Sequence, residues 1–221
     1  MNEFIDMFSS SDPTNVSTSI KLILLLTVFS LAPGILILMT SFTRIIIVLS
    51  FVRTSLATQQ MPPNQVLIGL ALFLTFFIMA PTFNEVYEEG LQPLFNEEIT
   101  LDEAYDSASA PMKEFMAEHT RQKDLALFLS YAEIEPPESI QDIPLTALVP
   151  AFAISELKTA FQMGFMIFIP FLIIDMAVAS ILMSMGMMML PPVMISLPFK
   201  ILLFVMVDGW YLITHSLLSG F

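Results

Sequence analysis

The sequence predicts an all-helical membrane protein, and three observations carry that prediction. Of its 221 residues 56% are apolar and 13% charged, with a mean hydropathy of +0.78, whereas soluble domains hold about 45–50% apolar residues. Apolar runs of about twenty residues recur along the chain, the length a helix needs to cross a bilayer. The charge is also segregated. Residues 82–145 hold fifteen acids and three bases, and residues 1–20 hold three acids and no base, so the net charge of −13 resides in two polar segments.

The same composition excludes whole classes of function. With no cysteine there is no disulfide scaffold, thiolate zinc site, iron–sulfur ligation or cysteine nucleophile. Two histidines, His119 and His215, cannot build a His-rich metal centre. Nucleic acid and anionic lipid headgroups attract clusters of Lys and Arg, and the chain has no such cluster, so neither is an expected partner. No phosphate loop, nucleophile elbow, zincin helix or dinucleotide fingerprint occurs, and the chain does not read as an enzyme. No cofactor and no metal are expected.

Four segments succeed one another along the chain. Residues 1–19 are polar and acidic and lack the basic stretch that opens a secretory signal, which predicts a flexible, exported N-terminus rather than a cleavable peptide. Residues 20–81 form an apolar helical hairpin. The run 20–39 is kinked at Pro33-Gly34, and apolar character continues through 45–49 between Arg44 and Arg53. Pro62 and Pro63 lack backbone donors, so residues 58–65 form a turn, and 66–80 a second helix ending at Pro81. Residues 82–145 form an acidic insert. In it Met112, Phe115, Met116, His119, Leu125, Phe128, Leu129 and Ala132 recur at helical spacing, which predicts one amphipathic helix over 112–132 in an aqueous compartment. Glu135-Pro136-Pro137-Glu138 closes it as a stiff linker. Residues 146–221 are apolar again: Pro150 and Pro170 divide the run to 190 into two packed segments or one broken helix, a loop spans 186–192, and 193–218 is the last helix. The positive-inside count puts Arg44, Arg53 and Lys200 in the cytoplasm and the insert outside. No internal repeat is evident, which disfavours an inverted-repeat transporter.

Five ionisable groups, Glu156, Lys158, Asp175, Lys200 and Asp208, lie within the apolar C-terminal segment. With Arg44 and Arg53 they are candidates for buried or inter-subunit ion pairs. A carboxylate at Asp175 facing lipid would cost roughly 2.5–3.5 kcal/mol, so it must face protein, water or a cation. A proton relay is one reading. Salt bridges that fix packing are the weightier one, because removing one partner of a buried pair is what destabilises. Glu156 and Lys158 stand two residues apart and point about 200° away from each other on a helix, so each needs a partner elsewhere, which favours an oligomer. Trp210 and Tyr211 suit a membrane interface or a subunit contact.

Seven of seventeen methionines fall between residues 176 and 194, three of them consecutive at Met187, Met188 and Met189 beside Gly186. Unbranched, polarizable Met suits a deformable apolar surface. Gap-filling in a core, a soft thioether Cu(I) site and a flexible gasket lining a pore are all compatible with this pattern.

Two blocks carry a family resemblance. Residues 39–49 (MTSFTRIIIVL) with 59–73 (QQMPPNQVLIGLALF), and residues 150–161 (PAFAISELKTAF) running on to 183–189 (MSMGMMM) and 197–200 (LPFK), closely resemble the FliP/SctR family of type III secretion export-gate subunits. The match covers residues 20–82 and 143–221, and leaves the insert and N-terminus poorly matched. Thr43-Arg44 and Thr58-Gln59-Gln60 look flagellar, with an injectisome paralogue or a small-solute or Cu(I) transporter as the alternatives. The resemblance implies a non-enzymatic subunit of the flagellar export gate in the bacterial inner membrane, at the basal body. Five FliP copies would assemble with FliQ and FliR into a conical, helical ring, beside FlhB and FlhA, and unfolded flagellar subunits would pass through its centre. It also implies that Met187, Met188 and Met189, with Met185 adjacent, form the pore gasket. The apolar segments become broken hairpins that bury against neighbouring subunits as well as membrane lipid. Many members carry a cleavable signal peptide, from which this acidic beginning departs.

Overall fold

A computed structural model describes residues 26–221 apart from 28, 29, 32, 59, 136 and 188. The expected exported N-terminus and nine of the twenty residues of the run 20–39 lie outside the described residues. The described residues up to Ile37 belong to one unit and are helical. Leu38–Phe221 forms a second. Its helices are α1 (Phe42–Ser55), α2 (Asn64–Glu85), a π-helical turn (Val86–Leu91), α3 (Gln92–Phe95), α4 (Leu101–Glu118), α5 (Gln122–Tyr131), α6 (Leu145–Ser184), α7 (Pro192–Met206) and α8 (Gly209–Leu218). No strand occurs among the described residues.

Three proline positions behave differently from the sequence expectation. The second helix does not end at Pro81 but continues to Glu85. Beyond it the π-turn inserts one residue into the helical register, a device that re-aims the chain on its far side. That turn presents Gly90 to α4 at such close range that an added Cβ would meet the Ala108 Cβ at 2.7 Å. Nor do Pro150 and Pro170 divide the C-terminal run, because α6 is one helix of 40 residues with both prolines inside it. Each proline forfeits one backbone hydrogen bond, at a cost of about 3 kcal/mol in water. Neighbouring helices make such losses tolerable in an apolar setting, and α6 has α1, α5 and α7 packed along it.

The single amphipathic helix expected over 112–132 is two helices. A capping box opens α4: the Glu103 N–H donates to Thr100 Oγ1 at 3.4 Å, and the Thr100 N–H donates to Glu103 Oε2 at 2.8 Å. Hydrogen bonds from the Thr100 N–H and hydroxyl hold the Glu103 carboxyl below its ordinary range. At the far end Thr120 Oγ1 donates to the Met116 carbonyl (2.6 Å), and His119 Nδ1 lies 2.8 Å from that of Phe115. Side chains thus satisfy the last carbonyls and stop the helix. The apolar spacing persists across the break because both helices face one core. Met116, Ile143, Leu148 and Phe152 are its buried centre, and Met112, Phe115 and Leu125 pack around it. Leu148 and Phe152 belong to α6, so the insert is cored on the first turns of the long helix.

Two described helical runs are long and apolar enough to cross a membrane, Asn64–Phe95 and Leu145–Ser184. The last apolar segment, expected as one helix, is bent by 61° between α7 and α8, and the pair meets the membrane criterion only jointly. Asp208 makes that bend with φ +50, a left-handed conformation that Asp tolerates better than most residues. Much of the apolar surface is exposed on this chain, Phe73 at 78% and Met166 at 71%, as expected where lipid or another subunit covers it.

Gly164 on α6 lets α1 approach closely. A Cβ there would come within 2.5 Å of the Phe51 ring, which already packs edge-on to Phe161 at 5.4 Å. Gly164→Ala therefore lowers thermal stability in detergent by about 1–3 kcal/mol through overpacking. Gly69→Ala, which meets nothing within 4 Å, leaves the melting temperature unchanged or raises it. Equal melting of the two variants would refute the close approach.

Candidate functional site

The charged residues singled out in the apolar segments fall into two groups. Four of them form two ion pairs inside the chain, one buried and one partly buried. Arg44 on α1 and Glu156 on α6 are 4% and 0% exposed. Arg44 Nε donates to Glu156 Oε2 at 2.8 Å, and Nη2 donates to Oε1. The remaining Nη1 donates to the Gly220 carbonyl at 2.7 Å, and the guanidinium lies 3.7 Å over the Phe221 ring. Phe221 in turn stacks on Phe115 and abuts His119 of the insert. Glu156 therefore finds its partner within the chain, 112 residues away, and needs no second subunit to neutralise it.

Lys200, 2% exposed, donates to Asp175 Oδ2 at 2.7 Å and to the Ser55 carbonyl at 3.0 Å. Ser196 donates to the other Asp175 oxygen. Asp175 thus faces protein donors, and α1, α6 and α7 meet at this point.

The other three charged residues make no ion pair among the described residues. Arg53 donates instead to Asn64 Oδ1 and, at 3.4 Å, to the Pro62 carbonyl, because the α1–α2 turn brings these neutral groups to it. Lys158 is exposed on α6 with Arg121, Lys123 and Asp124 as its charged neighbours. Asp208 is exposed at the α7–α8 bend, where backbone geometry and not charge pairing explains its presence.

One polar junction has no counterpart among the sequence expectations. Buried Ser155 on α6 donates to Asp124 Oδ2 at 2.7 Å and accepts from the Arg121 N–H at 3.1 Å. Arg121 Nη2 completes an i,i+3 ion pair with Asp124. That spacing is the one local signal of the junction. Burial pushes the Asp124 carboxyl up, but the Ser155 hydroxyl and the charges of Arg121 and Lys123 outweigh it, so the group sits below its ordinary value.

Between α6 and α7 lies the methionine loop. Gly186, at φ +71, makes the left-handed turn that ends α6. The Gly186 and Met187 N–H groups donate to the Met183 and Leu182 carbonyls, the pattern of a glycine C-cap. Met189 is 98% exposed, Met185 59% and Met187 36%; Met188 lies outside the described residues. These three side chains do not fill a core of this chain, which removes the gap-filling reading for them.

Arg44→Met strands the Glu156 carboxylate and costs roughly 3–5 kcal/mol, and adding Glu156→Met in the same chain recovers most of that loss. A double-mutant cycle in detergent measures it, and additive losses would show that the two groups are not coupled. The depressed Asp124 pKa contributes stability that is complete above the unfolded carboxylate value and is lost as pH falls through the folded one, below about pH 4. Acidification in that range should open the α5–α6 junction, read as faster cleavage of α5 by an acid protease or faster amide exchange there. Asp124→Asn should weaken the junction at neutral pH and flatten the response; an unchanged acid profile would contradict the assignment.

Comparison with known proteins bears on the identity of the chain. The FliP family model matches residues 25–217. A Flagellar biosynthetic protein FliP of Bacillus subtilis is 79% identical over the whole of both chains. That of Caulobacter vibrioides is 54% identical, across 91% of this chain and 76% of its own length. The Aquifex aeolicus protein of the same name is 51% identical, across 94% and 87%. Together the family match and the full-length identity establish that this chain belongs to the FliP family.

Proposed function

We propose that this chain is a non-enzymatic subunit of the flagellar protein export gate, a conduit that carries unfolded flagellar proteins across the bacterial inner membrane. The observation that carries the reading is full-length, 79% identity to a protein named for flagellar biosynthesis. The membrane-length helices and the exposed methionines fit it. The acidic insert lies on the periplasmic side. Five copies surround the conduit together with FliQ and FliR, and FlhA and FlhB complete the apparatus. The apolar faces left open on one chain are the surfaces such an assembly would bury.

In this reading Met185, Met187, Met188 and Met189 form the gate. A thioether side chain is unbranched and changes rotamer at little cost, so a ring of them closes on itself at rest and deforms around a passing polypeptide without demanding one shape. The pairs Arg44–Glu156, buried, and Asp175–Lys200, partly buried, hold the frame from which the loop projects. With no nucleotide-binding motif in the chain, the driving energy comes from other components.

Deletion of the gene should abolish hook and filament proteins in the culture medium, and this chain should restore them; their persistence after deletion would refute the export role. Replacing Met187, Met188 and Met189 together by Ala should leave export measurable while making the membrane leak small ions. A tight membrane in that variant would dismiss the gasket and leave the export role standing.

A further inference from the structure

We propose that the cavity at the α1–α2 turn binds the phosphodiester of an anionic phospholipid headgroup, with Arg53, Gln60, Asn64 and Gln65 as its donors. The cavity has a volume of about 410 Å³, and Pro63 completes its wall. In a chain with 21 acidic residues and 8 basic ones, a pocket lined by one guanidinium and three amides, with no carboxylate, is selective for negative charge. Among the described residues no carboxylate pairs with Arg53. Its Nη1 is anchored by Asn64 Oδ1 and the Pro62 carbonyl, which leaves Nη2 and Nε as a fork of the kind that engages phosphate oxygens. The same bond orients Asn64. Because Oδ1 accepts from Arg53, the Nδ2 amide is left with two N–H groups to give.

The surroundings select a lipid over a soluble anion. The cavity opens where the membrane-length run Asn64–Phe95 begins, at the end of an apolar helix where headgroups lie. Beside it Met61 is 71% exposed and Val66 55%, an apolar ledge that acyl chains can cover while the phosphate reaches Arg53. This is one headgroup site and not a basic surface, consistent with the absence of a Lys/Arg cluster.

The test uses the full chain in nanodiscs of phosphatidylglycerol and phosphatidylcholine in equal amounts, with the lipid retained after mild detergent extraction counted by native mass spectrometry. Wild type should retain phosphatidylglycerol over phosphatidylcholine. Asn64→Asp keeps a partner for Arg53 but turns a donor into a carboxylate, and should reduce that preference about tenfold, the value of a charge-assisted hydrogen bond. Gln65→Glu, at an exposed position of the same wall, should act alike without touching the Arg53 bond, which guards against misfolding of the first variant. Lys113→Gln, in the insert, should change nothing. Equal retention of the two lipids by wild type, or an unchanged preference in both acidic variants, would overturn the proposal. Binding of inorganic phosphate in detergent by a wild type that shows no preference between the two lipids would assign the cavity to a soluble anion and overturn it too. Loss of the preference only once copies of the chain assemble would give Arg53 to a protein carboxylate, with the same consequence.

Discussion

The Arg44–Glu156 ion pair is the interaction on which the rest of the chain depends. Burying two charges costs several kcal/mol each, and the attraction between them repays this only when geometry is close and every donor is used. Here the guanidinium gives two bonds to Glu156 and one to the Gly220 carbonyl, and carries the Phe221 ring on its face. Four parts of the fold converge on that one group: α1, α6, the residues after α8, and, through Phe221, Phe115 and His119, the acidic insert. The pair therefore fixes the register of an apolar frame in which hydrophobic contacts alone would permit sliding.

The interface between α1 and α6 is ordered along its length by three different kinds of contact. Arg44 meets Glu156, Phe51 meets Gly164, and the Ser55 carbonyl meets the Lys200 ammonium that also holds Asp175. The partners occur in the same order on both helices, so the two run side by side in the same direction. Polar anchors at the ends and a glycine notch in the middle distribute specificity where apolar packing carries little of its own. Ser155 and Asp124 add a polar bond from the insert to the same stretch of α6.

The helices, the turn at 58–65 and the loop at 186–192 were legible in the sequence because hydropathy, proline pairs and glycine are local signals. Continuation through Pro81, Pro150 and Pro170 was not, since by local rules proline ends a helix, whereas here each lies inside one. Nor did spacing reveal the stop at His119, where two side chains bond back to the preceding turn while the apolar stripe carries on. For the charged residues, sequence required that Glu156 and Asp175 be compensated. The partners are set by the tertiary fold, across 112 residues for Arg44 and 25 for Lys200. Arg53, Lys158 and Asp208 look alike as letters in an apolar run, yet one caps a turn, one stands beside two cations and one bends a helix.

The 40-residue length of α6 has a mechanical consequence. At 1.5 Å per residue it measures about 60 Å, twice the roughly 30 Å hydrocarbon thickness of a bilayer. A helix of that length either leans steeply or carries half its length beyond the lipid. Its first turns are embedded in the core of the insert, and its last turn ends at the methionine loop. The polar insert and the apolar methionine loop are thus joined by one continuous helix, and its internal prolines, Pro150 and Pro170, are the points at which it can bend.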